Sequence, residues 1–573
     1  MLITHCSQVL AAKHCNVDSM TNGNKKFAKP ICGLAPSVCP NYARYRSYDG
    51  SCNNLDNPGW GTPLSPYGDL VQNNYDDGVN SWPTASDGTP LPNARKISLK
   101  IFEFKHKVEK KFNLNTQQWG QIVTHDMSLA AGVTETNMSS PVCCNLNGQL
   151  APDVNVNPLC HPIGVPDMDT VHKSKGWECM NFIRTISTKD KGCTKRNVPA
   201  IPLSVVTPYM DLSLTYGNSE AQAISLREGN RGRLLTTVRN GHEWPPQADD
   251  AKKVCHAPDS SNETCYGLGD SRGNQTPQLT VLHIILLKEH NRVADELAVL
   301  NPHWNDETIF QEARRILIAE MQYINYYEYL KVLLGENNMI EKKLIYPNID
   351  TYVNDYDSSV NPAVYKEHAS AAFRHFHTLI RGYLDLITEN RELSYRIRLS
   401  DWFNKPSLIE KGSNFDGLTR GLTYQPADKS DQYWDLEITR YLFRGNGSVG
   451  GDLRATDIQR GRDHGLGTYT QLRDYCDLPV PKTFKDLKDY MSSENVKTLK
   501  SLYKSVEDID LVVGGSLEFH APGALVGPTF LCIILEQFLT TRISDRYFFE
   551  NGIDEDIAFT LQTHWCVVTS CRV

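Results

Sequence analysis

The chain has 573 residues, 40% of them hydrophobic and 22% charged, with a net charge of -8 and a pI near 6.1. This mildly acidic balance excludes the basic surface that nucleic-acid binding requires, and nothing in it marks a disordered acidic tail. The length allows several domains or one large helical enzyme with an ample core, so the domain count is left to the motifs.

The amino terminus, MLITHCSQVLAAKHC, lacks a basic start and an unbroken apolar run, so no secretory signal peptide is evident in it. Residues up to about Ser98 are rich in Asn, Gly, Pro, Asp and Tyr without a sustained period, which predicts a loop-rich arm stapled by cysteines. The chain has 16 cysteines but no C-x-x-C pair with a matching partner. That usage points to disulfides made in an oxidising compartment, not to zinc or a redox centre. Short loops containing Gly, Pro or Asn separate Cys39 from Cys52, Cys179 from Cys193 and Cys255 from Cys265, and these are the predicted local pairs. Sequons at Asn137, Asn262 and Asn446 suit the same extracellular compartment.

Beyond the arm the pattern is helical and strand-like alternation is rare, so the expected class is mainly α. In WGQIVTHDMSLAAG, Trp119 to Gly132, a helix places Gln121 and His125 on one face and turns Asp126 about 100° away. The neighbours His125 and Asp126 must therefore serve different sites. The run from Thr276 to Leu300 opens with Thr276 as N-cap and Pro277 at the first helical position, then repeats apolar residues at three- and four-residue spacing. Similar periodicity runs from Glu307 to a closing Gly335. The most apolar stretch, Leu525 to Leu539, is too short to span a bilayer and is interrupted by Gly527 and Pro528, so it reads as a buried core helix. No internal repeat is found.

Five segments in order carry a resemblance: WGQIVTHD, TPYMDLS (Thr207 to Ser213), GDSRGNQTPQLTVLHIILLKEHNR (Gly269 to Arg292), AAFRHFHTLI (Ala371 to Ile380) and DIQRGRDHGL (Asp457 to Leu466). With the cysteine-flanked CPNYARYRSYDGSCNNL and the late DRYFFENG, they resemble the animal haem peroxidases, closest to the secreted chorion-type members of arthropods. The resemblance implies a large helical peroxidase domain over residues 39–552, an N-terminal extension over 1–38 and an atypical tail over 553–573. In that tail FTLQTHWCVVTSCRV departs from the family's helical ending, and Cys566 and Cys571 have no obvious partners.

Carried over by position, His125 resembles the distal histidine, Gln121 its pocket partner and Arg272 the distal arginine. Cleaving hydrogen peroxide heterolytically needs a base that takes a proton from one oxygen and returns it to the other, which an imidazole can do near neutrality. A permanently charged guanidinium would stabilise the departing hydroxide, and Gln121 would hold water or a small anion. His377 matches the proximal ligand of haem b iron, with His375 as the alternative. Arg374, on the same helical face, matches the contact to a haem propionate. Asp457 stands where many relatives have asparagine accepting the proximal ligand's other N–H; read without the resemblance it is a helix N-cap. By residue type alone, Thr207, Tyr209, Asp211 and Ser213 form a turn rich in oxygen; the resemblance makes them, with Asp126, a calcium site.

The family's ester-forming carboxylates are matched here by Thr124 and Gln275, and its sulfonium-forming methionine by Thr276. The haem is therefore expected to be non-covalent, and the donors to be phenols, tyrosyl groups or easily oxidised halides, not chloride. Two rivals are a fatty-acid dioxygenase and an adhesion or matrix protein. The first needs a tyrosine where Arg374 stands, and the second has no use for an intact Gln121, His125, Arg272 and His377.

Overall fold

The computed structural model describes residues 32–34, 38–40, 43–132, 136, 141–255, 263–347, 351–555 and 557–560. Helices dominate, and every sheet among the described residues has two antiparallel strands. The helices that position the site are α1 (Ala94–Ile101), α2 (Leu114–Met127), α3 (Pro277–Leu300), α4 (Asp306–Tyr323), α5 (Asn414–Tyr424), α6 (Leu453–Asp463), α7 (Leu511–Leu517) and α8 (Pro528–Ile543). A contiguous apolar core runs through all of them.

The central helix is α3. Thr276 is extended before it (φ -139°, ψ 148°) and Pro277 opens it, where the missing N–H of proline leaves no bond unmade. Its buried positions include His283, His290 and Asn291 besides the aliphatic stripe. Helix α2 packs between α3, α5 and a short segment in which a π turn, His368–Ala372, runs into a 3-10 stretch, Phe373–Leu379. Helix α6 packs on the other side of that segment, against α1 and α7.

The run predicted as one helix to Gly335 is continuous in direction but changes type. After α4 it widens into a π turn, Ile324–Tyr329, before a last helical turn, Leu330–Leu334, closed by Gly335 at φ +83°. The wide turn grips α2: Asn325 Oδ1 accepts from Trp119 Nε1 at 2.8 Å, and the Tyr329 hydroxyl lies where a Cβ on Gly120 would be. Any larger residue at 120 would push the two helices apart. The late apolar stretch is a buried core helix as expected, α8, but Pro528 opens it instead of interrupting it.

The arm before α1 is loop-rich, although α1 itself begins at Ala94, short of Ser98. It is anchored by Arg46, buried and doubly bonded to Asp545 beyond α8 (3.0 Å each), and by Arg314 of α4, which donates to the Arg46 carbonyl at 2.8 Å. Six disulfides join described residues. Cys39–Cys52 and Cys255–Cys265 form as predicted, but the predicted Cys179–Cys193 pair does not. Cys179 lies on a strand beside Gly148, donating its N–H to that carbonyl at 3.0 Å, which brings it to Cys144. Cys193 instead pairs with Cys32, 161 residues away. Loop length identified closures that could form locally; a main-chain bond to the 144–150 turn accompanies a different partner. No described helix is long and apolar enough to cross a membrane. Cys566 and Cys571 lie outside the described residues, as do the sequons at Asn137 and Asn262, whereas Asn446 sits on an exposed turn.

Candidate active site

Helix α2 and the start of α3 build one wall. His125 is buried, and its Nδ1 has no hydrogen-bond partner. Burial first, then the neighbouring Arg272 cation, push its pKa well below the usual imidazole range, so the ring is neutral and ready to accept a proton. Arg272 sits on a 3-10 turn, Ser271–Asn274, and donates from Nη2 to the His125 carbonyl at 3.1 Å and from Nη1 to the Ser128 carbonyl at 3.0 Å. These carbonyls end α2, where the last turn of a helix lacks internal donors and a cation is favourable. Gln121 Nε2 donates to Gln275 Oε1 at 2.8 Å, and Gln118 Nε2 donates to Gln121 Oε1 at 3.0 Å. Thr124 turns its hydroxyl back to the Gly120 carbonyl at 2.9 Å.

The other wall comes from the segment after the π turn. His377 Nδ1 is 3.1 Å from Asp457 Oδ2, and Arg374 Nη1 is 3.1 Å from Asp457 Oδ1. Asp457 is wholly buried inside α6, not at its start: the N-cap is Asp452, whose carboxylate accepts from the N–H groups of Arg454 and Ala455. The N-cap reading of Asp457 is therefore wrong, because α6 begins four residues earlier than the motif does. Burial alone would raise the Asp457 carboxyl, but His377, Arg374 and Arg454 outweigh it and hold the group below its ordinary range. A carboxylate accepting from Nδ1–H leaves the lone pair on Nε2, the tautomer a metal ligand needs. His375 is engaged elsewhere, its Nε2 lying 2.9 Å from Ser430 Oγ amid Phe376 and Phe530.

The two walls adjoin: helix α2 packs directly against the Phe373–Leu379 stretch that carries Arg374 and His377. Although their segments pack within the core, the side chains of Arg272, Arg374 and His377 remain 20%, 29% and 27% exposed. A partly open imidazole oriented by a buried anion, an arginine beside it and a neutral imidazole on the adjoining helix are the residue types that holding a haem requires.

On the far face of α2, Asp126 meets the loop 207–213. Its Oδ2 accepts from Leu212 N–H at 3.1 Å, and Ser213 Oγ donates to its carbonyl at 3.2 Å. Thr207 Oγ1 lies 2.9 Å from both Asp211 oxygens. Leu212 takes a left-handed conformation, φ +56°, to make this turn. Burial, then Asp211, push the Asp126 carboxyl well above its usual range, and burial takes Asp211 up to about 6 against the pull of Arg46 and Arg314. Two buried carboxylates facing each other among hydroxyl and carbonyl oxygens form a donor set for a hard cation. Tyr209 differs from the other four: its buried hydroxyl points at Gly61 in the arm, which leaves its main-chain oxygen as the donor it could offer. Among the described residues no three His, Cys, Asp or Glu gather as a metal group; this loop and Asp126 bring together two carboxylates, with the other oxygens from hydroxyls and the main chain.

The pattern of the animal haem peroxidase family matches residues 45–571. The chain belongs to the animal haem peroxidase family. It is 47% identical over 530 residues to the peroxidase of Drosophila melanogaster, covering 92% of this chain and 76% of that one. It is 36% identical to the chorion peroxidase of the same organism, covering 92% of this chain and 64% of that protein. Peroxidase A from Dictyostelium discoideum superposes with a TM-score of 0.74 at 30% identity, over 92% of this chain and 94% of that chain. The protein is thus a peroxidase, and its family implies haem, hydrogen peroxide and an electron donor.

Sequence reading missed three members of this peroxidase's distal wall. Asp270 is buried and bonded to Arg272 through both oxygens, at 2.9 Å to Nε and 2.6 Å to Nη2. It outweighs its own burial to stay ionised well below the normal carboxylate range. Its signal was available, an acidic residue directly before a short helical turn. His283 lies behind it, its pKa lowered to about 4 by burial and Arg272. Gln118, one turn before Gln121, completes the amide chain.

Proposed function

We propose that this peroxidase, with residues 39–552 as its catalytic unit, acts outside the cell and uses His125 and Arg272 to cleave hydrogen peroxide. The observation that carries the reading is the pairing of an unpartnered neutral His125 beside a fixed guanidinium with a second histidine, His377, tied to a buried carboxylate. His377 and Arg374 would hold haem b, through the iron and a propionate; bound there, haem supplies the redox-active iron that takes up the oxidising equivalents of peroxide. Arg374 also bonds Asp457, so it would serve the propionate and the proximal carboxylate together.

In the reaction His125 takes the proton from the nearer peroxide oxygen and returns it to the leaving one, while Arg272 faces the charge that grows there. Gln121, fixed by Gln275 and Gln118, orients a water or small anion beside them. Asp457 makes His377 more basic and more electron-donating. Calcium held by Asp126, Thr207, the Tyr209 carbonyl, Asp211 and Ser213 would tie the loop to the helix that carries His125.

The donors best suited are phenols, tyrosyl groups and easily oxidised halides. Neither the Thr124 hydroxyl nor the Gln275 amide supplies the carboxylate that an ester to haem requires, so the cofactor is held reversibly. Six disulfides and the exposed Asn446 sequon support secretion and glycosylation. The test is the purified protein's Soret absorption, peroxide-dependent guaiacol oxidation and haem release into acidified butanone. A chain with no Soret band, or with a normal band and no guaiacol oxidation, would overturn the assignment; haem retained on denatured polypeptide would overturn the reversible linkage.

A further inference from the structure

A guanidinium has five N–H donors in a rigid fork. In Arg272 four are engaged: Nε with Asp270 Oδ1, Nη2 with Asp270 Oδ2 and the His125 carbonyl, and Nη1 with the Ser128 carbonyl. One Nη1–H is left over. Two of the bonds are charge-assisted and go to one carboxylate; the other two go to neutral carbonyls at the end of α2.

Asp270 is itself fixed. It is 3% exposed, and its Oδ1 also accepts the main-chain N–H of Arg272 at 2.7 Å, which caps the turn from which the arginine projects. Gly273 follows in that turn, and its missing Cβ leaves room first for the Leu268 side chain and then for the His283 ring, whose nearest atoms would lie 3.3 Å from such a carbon. His283 is neutral and buried, so it closes the space behind the pair without adding a second cation.

We infer that Asp270 is a positioning residue for peroxide activation, clamping the Arg272 guanidinium against the end of the distal helix so that a single Nη1–H remains to meet the oxidant. The inference rests on the reading of Arg272 as the distal cation. Without the carboxylate, two neutral carbonyls would be left to hold a charge that already has access to the cavity, and the guanidinium would turn toward solvent. Both Asp270 oxygens are committed to Arg272.

The test uses the holoenzyme with Asp270→Asn, and Asp270→Ser as a second variant whose hydroxyl can still cap the turn if the amide is not tolerated. Asp270→Glu serves as rescue and Arg272→Leu as reference. Two quantities are read: the stopped-flow rate with hydrogen peroxide, and the C–O stretching frequency of carbon monoxide bound to the ferrous protein, which reports the field of the distal cation. Asp270→Asn or Asp270→Ser should slow the peroxide reaction about tenfold or more. Either should also move the C–O stretch part of the way toward its Arg272→Leu position, with Asp270→Glu recovering much of both. A residue that merely stabilised the fold would lower haem content and leave the stretch where it was. If Arg272→Leu changes rate and stretch while neither the Asn nor the Ser variant does, the clamp is wrong. If Arg272→Leu changes neither, the distal reading of Arg272 fails with it.

Discussion

The two histidines of the proposed site are held in opposite ways. His125 is 5% exposed, lies beside the Arg272 cation and leaves Nδ1 without a partner. His377 is 27% exposed along its side chain and has Nδ1 bonded to the buried Asp457. The difference separates two uses of one side chain. An imidazole with no acceptor for its proton and a cation nearby stays neutral and can take a proton from the oxidant. An imidazole tied to an anion keeps one tautomer and presents a fixed lone pair.

The largest effect that would break this contrast is expected at His377. Given the reversible haem binding proposed above, His377→Ala should lose haem retention altogether, seen as the absence of a Soret band in protein that still has its far-ultraviolet helical signal. A normal haem spectrum in that variant would mean that the proximal assignment is mistaken. His125→Ala should do the reverse, keeping haem but slowing the reaction with peroxide by ~10²-fold or more in stopped flow. Unchanged kinetics there would remove the proton-transfer role.

A smaller effect tests the far face of α2. Because Asp126 follows His125 on the same helix, removing calcium by chelation, or replacing Asp211 by Ala, should lower the thermal midpoint by on the order of 5 °C. It should slow the peroxide reaction without releasing haem, since His377 stands on a different segment. Calorimetry with elemental analysis checks this, and active protein containing no calcium would sink it.

How much of this was readable in advance depended on whether side-chain type or backbone path carried the information. Gln121, His125, Arg272 and His377, the residues of the proposed site, were named through the resemblance of their segments to the family; helical spacing by itself put only Gln121 and His125 on one face. The mainly helical class followed from periodicity, and Thr276–Pro277 marked a helix start that the structure keeps. What stayed hidden were relations between segments. Asp270 pairs with Arg272 two residues on only because a 3-10 turn folds the side chains together. The Cys179 partner lies on the turn whose Gly148 carbonyl Cys179 bonds, and the start of α6 at Leu453 turned a presumed cap into a buried helix-interior carboxylate. The π turn that seats Tyr329 against Gly120 leaves the apolar period intact and so has no signature in it.

The smallest effect extends the contrast to the neutral imidazoles that carry no catalytic role. His283 and His290 lie along α3, and burial lowers each to about 4 from an ordinary 6.5. His290 is held between the Tyr216 hydroxyl and the Gly232 carbonyl, both at 2.9 Å. Their folded pKa values lie below the unfolded ones, so between about pH 6.5 and pH 4 the unfolded chain binds protons that the folded chain refuses. Stability from these two residues is therefore complete above pH 6.5 and is lost progressively as the pH falls toward 4. Asp457 adds nothing in that window: its carboxyl is depressed below an already lower value, and its contribution would be lost only under more acid conditions. Burial raises the Glu320 and Glu367 carboxyls to about 7, which opposes this trend in the same window, so the histidine effect is read as a difference. Calorimetry on calcium-saturated protein should show a smaller fall in thermal midpoint between pH 6.5 and pH 4 for His290→Gln than for the unsubstituted chain. An equal fall in both would show that α3 accommodates charged imidazoles, and the burial argument applied to His125 would lose its support on the neighbouring helix.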